Sequence, residues 1–104
     1  PHVRVVGRMD KTITRATVCT GSGGSLVEDF IRSSADVFIT GDLKYHEART
    51  IEESDRAAVD VGHYGSEHMA IDLICSQLNQ ALKAADLDIE IEKFLQEKDP
   101  FITV

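Results

Sequence analysis

The sequence has 104 residues, 42% hydrophobic and 28% charged, which is typical of one globular domain, so we treat 1–104 as a single domain. With 11 Lys and Arg against 18 Asp and Glu, the formal net charge of −7 argues against a nucleic-acid partner. The apolar runs are far shorter than the ~20 residues that span a bilayer. With no signal-like opening segment, we expect a cytoplasmic or organelle-matrix protein without a membrane partner.

Two features lie outside the regular pattern of the chain. At the N-terminus, Val3–Val6 and Thr12–Thr14 favour a strand interrupted by a turn at Arg8–Lys11, although its direction in a sheet is not defined by the pattern. Two cysteines, Cys19 and Cys75, lie in apolar stretches and are expected to be buried free thiols.

Three repeated units occupy the middle of the chain, each with an apolar β-branched run, a small or polar turn and an amphipathic helix pattern. This alternation predicts an α/β fold with three layers and a mostly parallel sheet built from successive βα units. The strands are predicted at 16–20, 36–40 and 58–62, and the helices at 25–33, 43–54 and 66–85. The third helix has the clearest period, and its predicted inward stripe is Ala70, Leu73, Ile74, Leu78, Ala81, Leu82 and Ala85.

A further strand is predicted after the third helix. Apolar Leu87, Ile89 and Ile91 alternate with acidic residues, as in a strand with one face in solvent. This pattern favours an edge strand over 87–92.

The turns after the three parallel strands are expected to meet, because parallel βα units place all their strand carboxyl ends at one edge of the sheet. Three of the four histidines fall at this edge. We predict a ligand cleft at this edge, with candidate substrate contacts Ser22, Thr40, Asp42 and His46, and with His63 and Glu67 beside them.

His63 and Glu67 are four residues apart, so they share one face if the helix includes both, or meet across its start if Gly65 or Ser66 is the cap. Imidazole and carboxylate are ligands of Zn²⁺, Mn²⁺ and Fe²⁺. A hydrogen-bonded pair at a helix N-terminus is the alternative. His68 is offset by about 100° and is expected at the surface.

Other residues at this edge have structural as well as functional interpretations. Asp42 fits the N-cap of the second helix, and catalysis is the alternative role. His46 suits a ligand, an acid–base group, a substrate contact or an exposed helix residue. The glycines of 21–24 suit either an anion cradle or a tight turn with positive φ.

The same three turns carry a family resemblance. Residues 19–25 (Cys-Thr-Gly-Ser-Gly-Gly-Ser), 35–48 (including Thr-Gly-Asp-Leu-Lys-Tyr-His-Glu-Ala) and 60–67 (Asp-Val-Gly-His-Tyr-Gly-Ser-Glu) resemble those of the Nif-three-like family, also called GTP cyclohydrolase I type 2-like dinuclear metal proteins. The closing Asp-Pro-Phe at 99–101 is similar as well, and the resemblance covers essentially the whole chain.

The resemblance implies that this chain is the C-terminal half of a longer protein, to which the initial Pro1 also points. It implies that His63 and Glu67 are metal ligands. The other ligands, a histidine pair and an aspartate, would belong to the N-terminal half, which is therefore an expected partner. Two divalent ions (Zn, Mn or Fe) per intact protein are the expected cofactors, and a ring-like homo-oligomer is the expected assembly.

Together, these inferences predict the C-terminal half of a dinuclear metal-dependent hydrolase-like protein acting on an unidentified small-molecule substrate. Alone, the fragment is expected to be inactive. The alternative is a noncatalytic metal-binding or protein-interaction module.

Overall fold

The structure is a computed structural model that describes residues 3–102. Its elements in chain order are β1 (Arg4–Val6), β2 (Ala16–Ser22), α1 (Val27–Arg32), β3 (Val37–Gly41), α2 (Tyr45–Glu53), β4 (Ala57–Asp60) and α3 (His63–Ala84). A short 3₁₀ turn, Gly24–Leu26, leads into α1. The predicted βα alternation is confirmed, with each helix starting within a few residues of its predicted position.

The four strands form one sheet in the order β1-β4-β3-β2. β2, β3 and β4 are parallel neighbours, as predicted from the repeated units. β1 pairs antiparallel with β4 and supplies the direction that the sequence pattern left undefined. The carboxyl ends of the three parallel strands consequently lie at one edge of the sheet.

Helices cover both faces of the sheet, as the predicted three layers require. On one face, a core of Phe30 from α1, Phe38 from β3 and Ile51 from α2 is almost completely buried. The rings of Phe30 and Phe38 stack with centroids 5.3 Å apart. On the other face, Gly41 lies so close to the start of α3 that an added Cβ would be 2.6 Å from the carbonyl carbon of Gly62.

The N-terminal prediction is confirmed only in part. Backbone N–H of Lys11 donates to the Arg8 carbonyl at 3.3 Å, which closes the predicted turn. The predicted strand at Thr12–Thr14 is wrong, because these residues have no ladder partner within the described part of the chain. Instead, the backbone N–H and hydroxyl of Thr14 both donate to the Asp36 carboxylate at 2.8 Å.

The predicted edge strand at 87–92 is also wrong, because this segment has no regular secondary structure. α3 has 22 residues and is ~33 Å long, whereas the five residues of β3 span only ~16 Å. The chain therefore leaves α3 well beyond the sheet. It returns along α3 itself, where Lys93 Nζ contacts Asp72 Oδ1 at 2.6 Å and the Tyr64 hydroxyl donates to the Glu97 carbonyl at 2.8 Å.

The inward stripe predicted for α3 is wrong over much of the helix for the same reason. Leu73, Ile74 and Leu78 are 60%, 52% and 48% exposed. Cys75, outside the predicted stripe, is buried, and it is a free thiol like the partly buried Cys19. The periodicity identified the helix correctly, but the described chain supplies no surface that covers its apolar face.

Candidate functional site

The start of α3 determines how His63 and Glu67 are placed. Gly62, with φ of +78°, turns the chain sharply after β4, so that His63 is the first residue of the helix. Both side chains therefore lie on consecutive turns of one helix, which is the first of the two arrangements considered from the sequence. His63 Nε2 lies 3.1 Å from Glu67 Oε1.

The turn after β3 brings a second carboxylate to the same imidazole. Asp42 adopts a left-handed backbone with φ of +55°, and its Oδ2 lies 2.9 Å from His63 Nδ1. The N-cap interpretation of Asp42 is wrong, since α2 begins at Tyr45 with Lys44 as its N-cap. There the backbone N–H of Lys44 donates to Glu47 Oε2 at 2.8 Å.

A buried carboxylate at the end of β4 fastens these two turns together. Asp60, only 3% exposed, accepts hydrogen bonds from the backbone N–H groups of Asp42 at 3.1 Å, Leu43 at 3.0 Å and Gly62 at 2.9 Å. It also pairs with the Arg4 guanidinium from β1. Burial acts to raise the pKa of Asp60, but the hydrogen bond from Gly62 and those from Arg4 and Leu43 outweigh burial and lower it.

Asp60 was not singled out from the sequence as a site residue. The available signal was an acidic residue ending an apolar strand immediately before a glycine turn. A buried carboxylate in that position requires donors, and the backbone of a following turn is the nearest source.

The glycine segment 21–24, which begins in the last residues of β2, completes the edge. Gly21 has φ of +66°, and a Cβ there would lie 2.5 Å from Glu67 Oε1 and 3.3 Å from His63 Nε2. Its backbone N–H donates to the Ser66 hydroxyl at 2.8 Å, and that hydroxyl donates to the His63 carbonyl at 2.8 Å. The three predicted turns therefore meet around one imidazole–carboxylate pair.

Two candidate cleft residues, Ser22 and Thr40, have different surroundings. Thr40 is fully buried, and its hydroxyl donates to the Gly21 carbonyl at 3.3 Å, so it holds the end of β2 in place from inside the protein. Ser22 is exposed at the end of β2, opposite Gly41 in the sheet register.

The side chain of His46 lies apart from the central pair. It is 76% exposed, and its Nε2 is 3.9 Å from Glu47 Oε1. Among the hydrogen bonds of residues 3–102, none joins His46 to Asp42, His63 or Glu67. This geometry matches the exposed-helix interpretation, while the roles proposed for His46 at the cleft stay predictions.

The central cluster, which we define as Asp42, His63 and Glu67, is accessible and acidic. The three side chains are 54%, 47% and 56% exposed. The hydrogen bond to Asp42 raises the pKa of His63, with partial desolvation opposing it and Glu67 adding to the rise. On one side of the ring, the cluster offers His63 Nε2 and Glu67 Oε1 as atoms that can coordinate a metal. On the other side, the Asp42 carboxylate can accept a hydrogen bond from Nδ1.

The cluster fits part of a metal site. Imidazole Nε2 and carboxylate Oε1 suit Zn²⁺, Mn²⁺ or Fe²⁺ as ligands. Within residues 3–102, however, no three His, Cys, Asp or Glu side chains converge as a complete ligand set. Asp42 faces the opposite ring nitrogen, so it does not add to the donors of His63 and Glu67.

A small cavity of about 220 Å³ adjoins the cluster on the α3 side. Its walls are Tyr64, Glu67, His68, Ile71 and Glu97. The ring of His68 stacks on that of Tyr64 with centroids 4.9 Å apart, so His68 is partly buried rather than at the open surface expected from its helical offset.

Across residues 3–102, no helix has both the length and the apolar character required to cross a membrane.

Comparison with known proteins gives a consistent assignment by sequence. The family model for Duf34/NIF3 (NGG1p interacting factor 3) matches residues 1–100. A GTP cyclohydrolase 1 type 2 homolog of Streptococcus pneumoniae is 34% identical over 93 residues, which cover 89% of this chain and 35% of that protein. A Staphylococcus aureus protein of the same name is 31% identical over 101 residues, covering 97% of this chain and 27% of that protein.

Solved structures agree with the sequence matches. The crystal structure of a Staphylococcus aureus protein superposes with a TM-score of 0.92 and 30% identity, covering 100% of this chain and 34% of that one. A Bacillus cereus protein related to NIF3 gives a TM-score of 0.88 and 31% identity, covering 100% of this chain and 28% of that one. The chain spans between 27% and 35% of the length of these relatives. Because the family model and the fold both extend over essentially all of its residues, this chain belongs to the Duf34/NIF3 family.

Proposed function

We propose that this chain is the C-terminal part of a dinuclear metal-dependent, hydrolase-like protein, to which it contributes His63 and Glu67 as metal ligands. The observation that carries the proposal is the central cluster. His63 Nε2 and Glu67 Oε1 lie 3.1 Å apart, both exposed, while Asp42 occupies the opposite ring nitrogen at 2.9 Å. A pair that served only to stabilise the helix start would gain little from a second, separate carboxylate on the imidazole.

The chemistry of the donor set supports a divalent cation of the Zn, Mn or Fe type. Such an ion, when bound, would activate a water molecule for attack on a substrate. His63 and Glu67 would hold the ion, and the lack of a side chain at Gly21 would leave the space beside these two groups open. Ser22 and His46 are exposed candidates for contacting a small-molecule substrate.

The remaining ligands are proposed to come from an N-terminal part of the same protein. Two donors leave most coordination positions of a divalent ion to water. The chain spans about a third of its relatives, so those proteins contain ample additional sequence for further ligands. A homo-oligomer of the intact protein is also proposed, because α3 exposes an apolar face that a second subunit could cover.

We place the intact protein in the cytoplasm or an organelle matrix. Cys19 and Cys75 are both free thiols, which suits a reducing compartment.

A protein-interaction module is the second candidate function. It is favoured by apolar side chains that α3 leaves in solvent, including Met69 at 76% and Leu73 at 60% exposure. Patches of this kind mark interaction surfaces in soluble proteins. In this interpretation the cluster would bind metal without catalysis or would not bind it at all.

The proposed ligands are tested by metal content. The full-length protein and the present chain are each loaded with Mn²⁺, Zn²⁺ or Fe²⁺, dialysed, and measured by elemental analysis. We expect two tightly held metal ions in the full-length protein, loss of metal in the His63→Ala variant, and at most weak metal binding by the present chain. The same measurement on Glu67→Gln checks the second ligand.

His46→Ala is the matched control, since His46 is a histidine at the same edge without a hydrogen bond to the central cluster. Unchanged metal in full-length His63→Ala would remove His63 from the site. Two metal ions held stoichiometrically by the present chain alone would show that the other ligands lie within this chain. A partner that the full-length protein captures equally well with and without His63→Ala, in the absence of metal-dependent activity, would favour the interaction module.

A further inference from the structure

The imidazole of His63 lies between two carboxylates that belong to different elements. Glu67 is on α3, as is His63 itself, and so any movement of the helix carries both side chains together. Asp42 is on the turn after β3, and its Oδ2 reaches His63 Nδ1 at 2.9 Å. Of the two contacts, only the one from Asp42 fixes the ring relative to the sheet.

Asp42 is itself held firmly. Its backbone N–H donates to Asp60 Oδ1 at 3.1 Å, and the same oxygen accepts the N–H of Gly62 at 2.9 Å. The buried Asp60 carboxylate therefore anchors both Asp42 and the residue that precedes His63. The Asp42 side chain does not cap α2, because Lys44 is the N-cap of that helix.

The position of Asp42 determines which role it can have toward a metal. Nδ1 and Nε2 lie on opposite sides of the imidazole ring, and Glu67 is on the Nε2 side. A cation bound by Nε2 and Glu67 would have the ring between itself and Asp42. Metal-bound histidines in proteins almost always donate their other ring N–H to a carboxylate or carbonyl, which fixes the tautomer and orientation.

We propose that Asp42 is a positioning residue for His63: its carboxylate accepts the Nδ1 hydrogen and leaves Nε2 with a lone pair directed, beside Glu67, toward a divalent cation. This inference rests on the proposed function. It replaces a substrate contact or a helix cap as the role of Asp42.

The first test uses the present chain without metal. Asp42→Gly removes the carboxylate and keeps a residue that tolerates the φ of +55°. Asp86→Gly is the matched control, because Asp86 has the same φ of +55° and lies at the far end of α3. At a pH where the His63 ring is neutral, nitrogen-15 NMR distinguishes its two tautomers, and the His63→Ala spectrum assigns the signal.

We expect the Nδ1–H tautomer in the original chain and in Asp86→Gly. In Asp42→Gly we expect the Nε2–H form, since Glu67 is then the remaining acceptor. Asp42→Asn should keep much of the Nδ1–H form, because the amide oxygen still accepts a hydrogen bond. An Nε2–H ring in the original chain, or no change in Asp42→Gly, would overturn the proposal.

The second test measures Zn²⁺ affinity in the full-length protein by competition with a chelating dye. Loss of a carboxylate that orients a metal-bound histidine typically weakens metal binding about 10- to 100-fold. We expect this loss in Asp42→Gly, partial recovery in Asp42→Asn and no change in Asp86→Gly. If Asp42→Gly binds Zn²⁺ normally while His63→Ala does not, the positioning role of Asp42 is wrong, whereas the proposed metal site at His63 is still supported. If His63→Ala also binds normally, the proposed function fails.

Discussion

At the scale of single residues, two carboxylates stabilise irregular segments of backbone by accepting hydrogen bonds from backbone N–H groups. Asp60 fastens the turns that hold the central cluster. Asp36 does the same for the segment before β2, where it accepts the N–H groups of Thr14 at 2.8 Å and Arg15 at 2.9 Å. Both stabilise irregular backbone that has no strand or helix partner.

Asp36 gives a pH prediction. The hydrogen bonds from the Thr14 backbone and hydroxyl, with that from the Arg15 backbone, lower its pKa to about 2. The unfolded-state pKa is about 3.9, so the folded state binds protons less readily. The stabilisation by Asp36 is therefore complete above pH ~4 and is lost as the pH falls toward 2.

We expect Asp36→Asn to be less stable than the original chain at pH 6, and the difference to shrink between pH ~4 and ~2. Urea unfolding followed by circular dichroism at a series of pH values measures it. Asp88→Asn, in the exposed C-terminal segment, is the control and should show no such convergence. A stability difference that stays constant down to pH 2 would contradict the assignment.

Residue-level prediction from the sequence was accurate where spacing within one helix decides the outcome. His63 and Glu67 are four residues apart, and helical geometry alone brings them together. The contact between Asp42 and His63 crosses 21 positions and depends on the register of β3 against β4. No local pattern encodes that register. The sequence therefore offers Asp42 as a helix cap or a cleft residue, of which the structure excludes the cap.

At the scale of elements, the end of β2 at Gly21 is the part of the site with the strictest backbone requirement. Gly21 combines φ of +66° with close approach to Glu67 and His63. A side chain there meets both a strained backbone and occupied space. The sequence offers residues 21–24 as either an anion cradle or a tight turn with positive φ. The positive φ is present at Gly21, but this residue lies within β2, where the pairing with β3 shifts register between Val18 and Ser22.

We expect Gly21→Ala to lower the free energy of unfolding by about 1–2 kcal/mol, since an L-residue in the left-handed region costs that much. Gly65→Ala is the contrasting control. Gly65 lies within α3 with open space where the Cβ would be, so alanine should stabilise the chain by about 0.5–1 kcal/mol. Urea unfolding at neutral pH compares the two. Equal effects of the same sign would show that backbone conformation at Gly21 is not limiting.

At the scale of the whole molecule, the chain is more extended than its length requires. The radius of gyration is 17.2 Å, against the ~13 Å typical of a compact domain of this size, and the longest extent is 53 Å. α3 accounts for this shape because it projects beyond a sheet of short strands. Several of its apolar side chains consequently stay about half exposed or more among the described residues, namely Met69, Leu73, Ile74 and Leu78.

The exposed face of α3 gives a prediction on assembly. Leu73→Lys combined with Ile74→Lys should reduce self-association of the present chain, measured by light scattering, with little change in its urea midpoint, because both positions are largely exposed. In the full-length protein, the same double change should lower stability if other parts of the chain or other subunits cover this face.

The matched control is Ser76→Lys combined with Asn79→Lys, which adds the same charge to exposed polar positions of α3. We expect it to leave association and stability nearly unchanged in both proteins. If the Leu73 and Ile74 changes have no effect in the full-length protein, this face is not an interface.

The sequence by itself determined the order of βα units, the mostly parallel sheet, and the meeting of the three glycine-containing connections at one sheet edge. These follow from local periodicity and from the fixed handedness of parallel connections. It could not determine the absence of a strand at 87–92, because alternation describes any extended segment with two unlike faces, whereas a strand also needs a partner edge. Only the tertiary structure showed that the segment returns along α3, that Asp60 joins two turns, and that Asp42 lies against His63. Each of these contacts joins residues distant in sequence, and their geometry depends on how the whole chain packs.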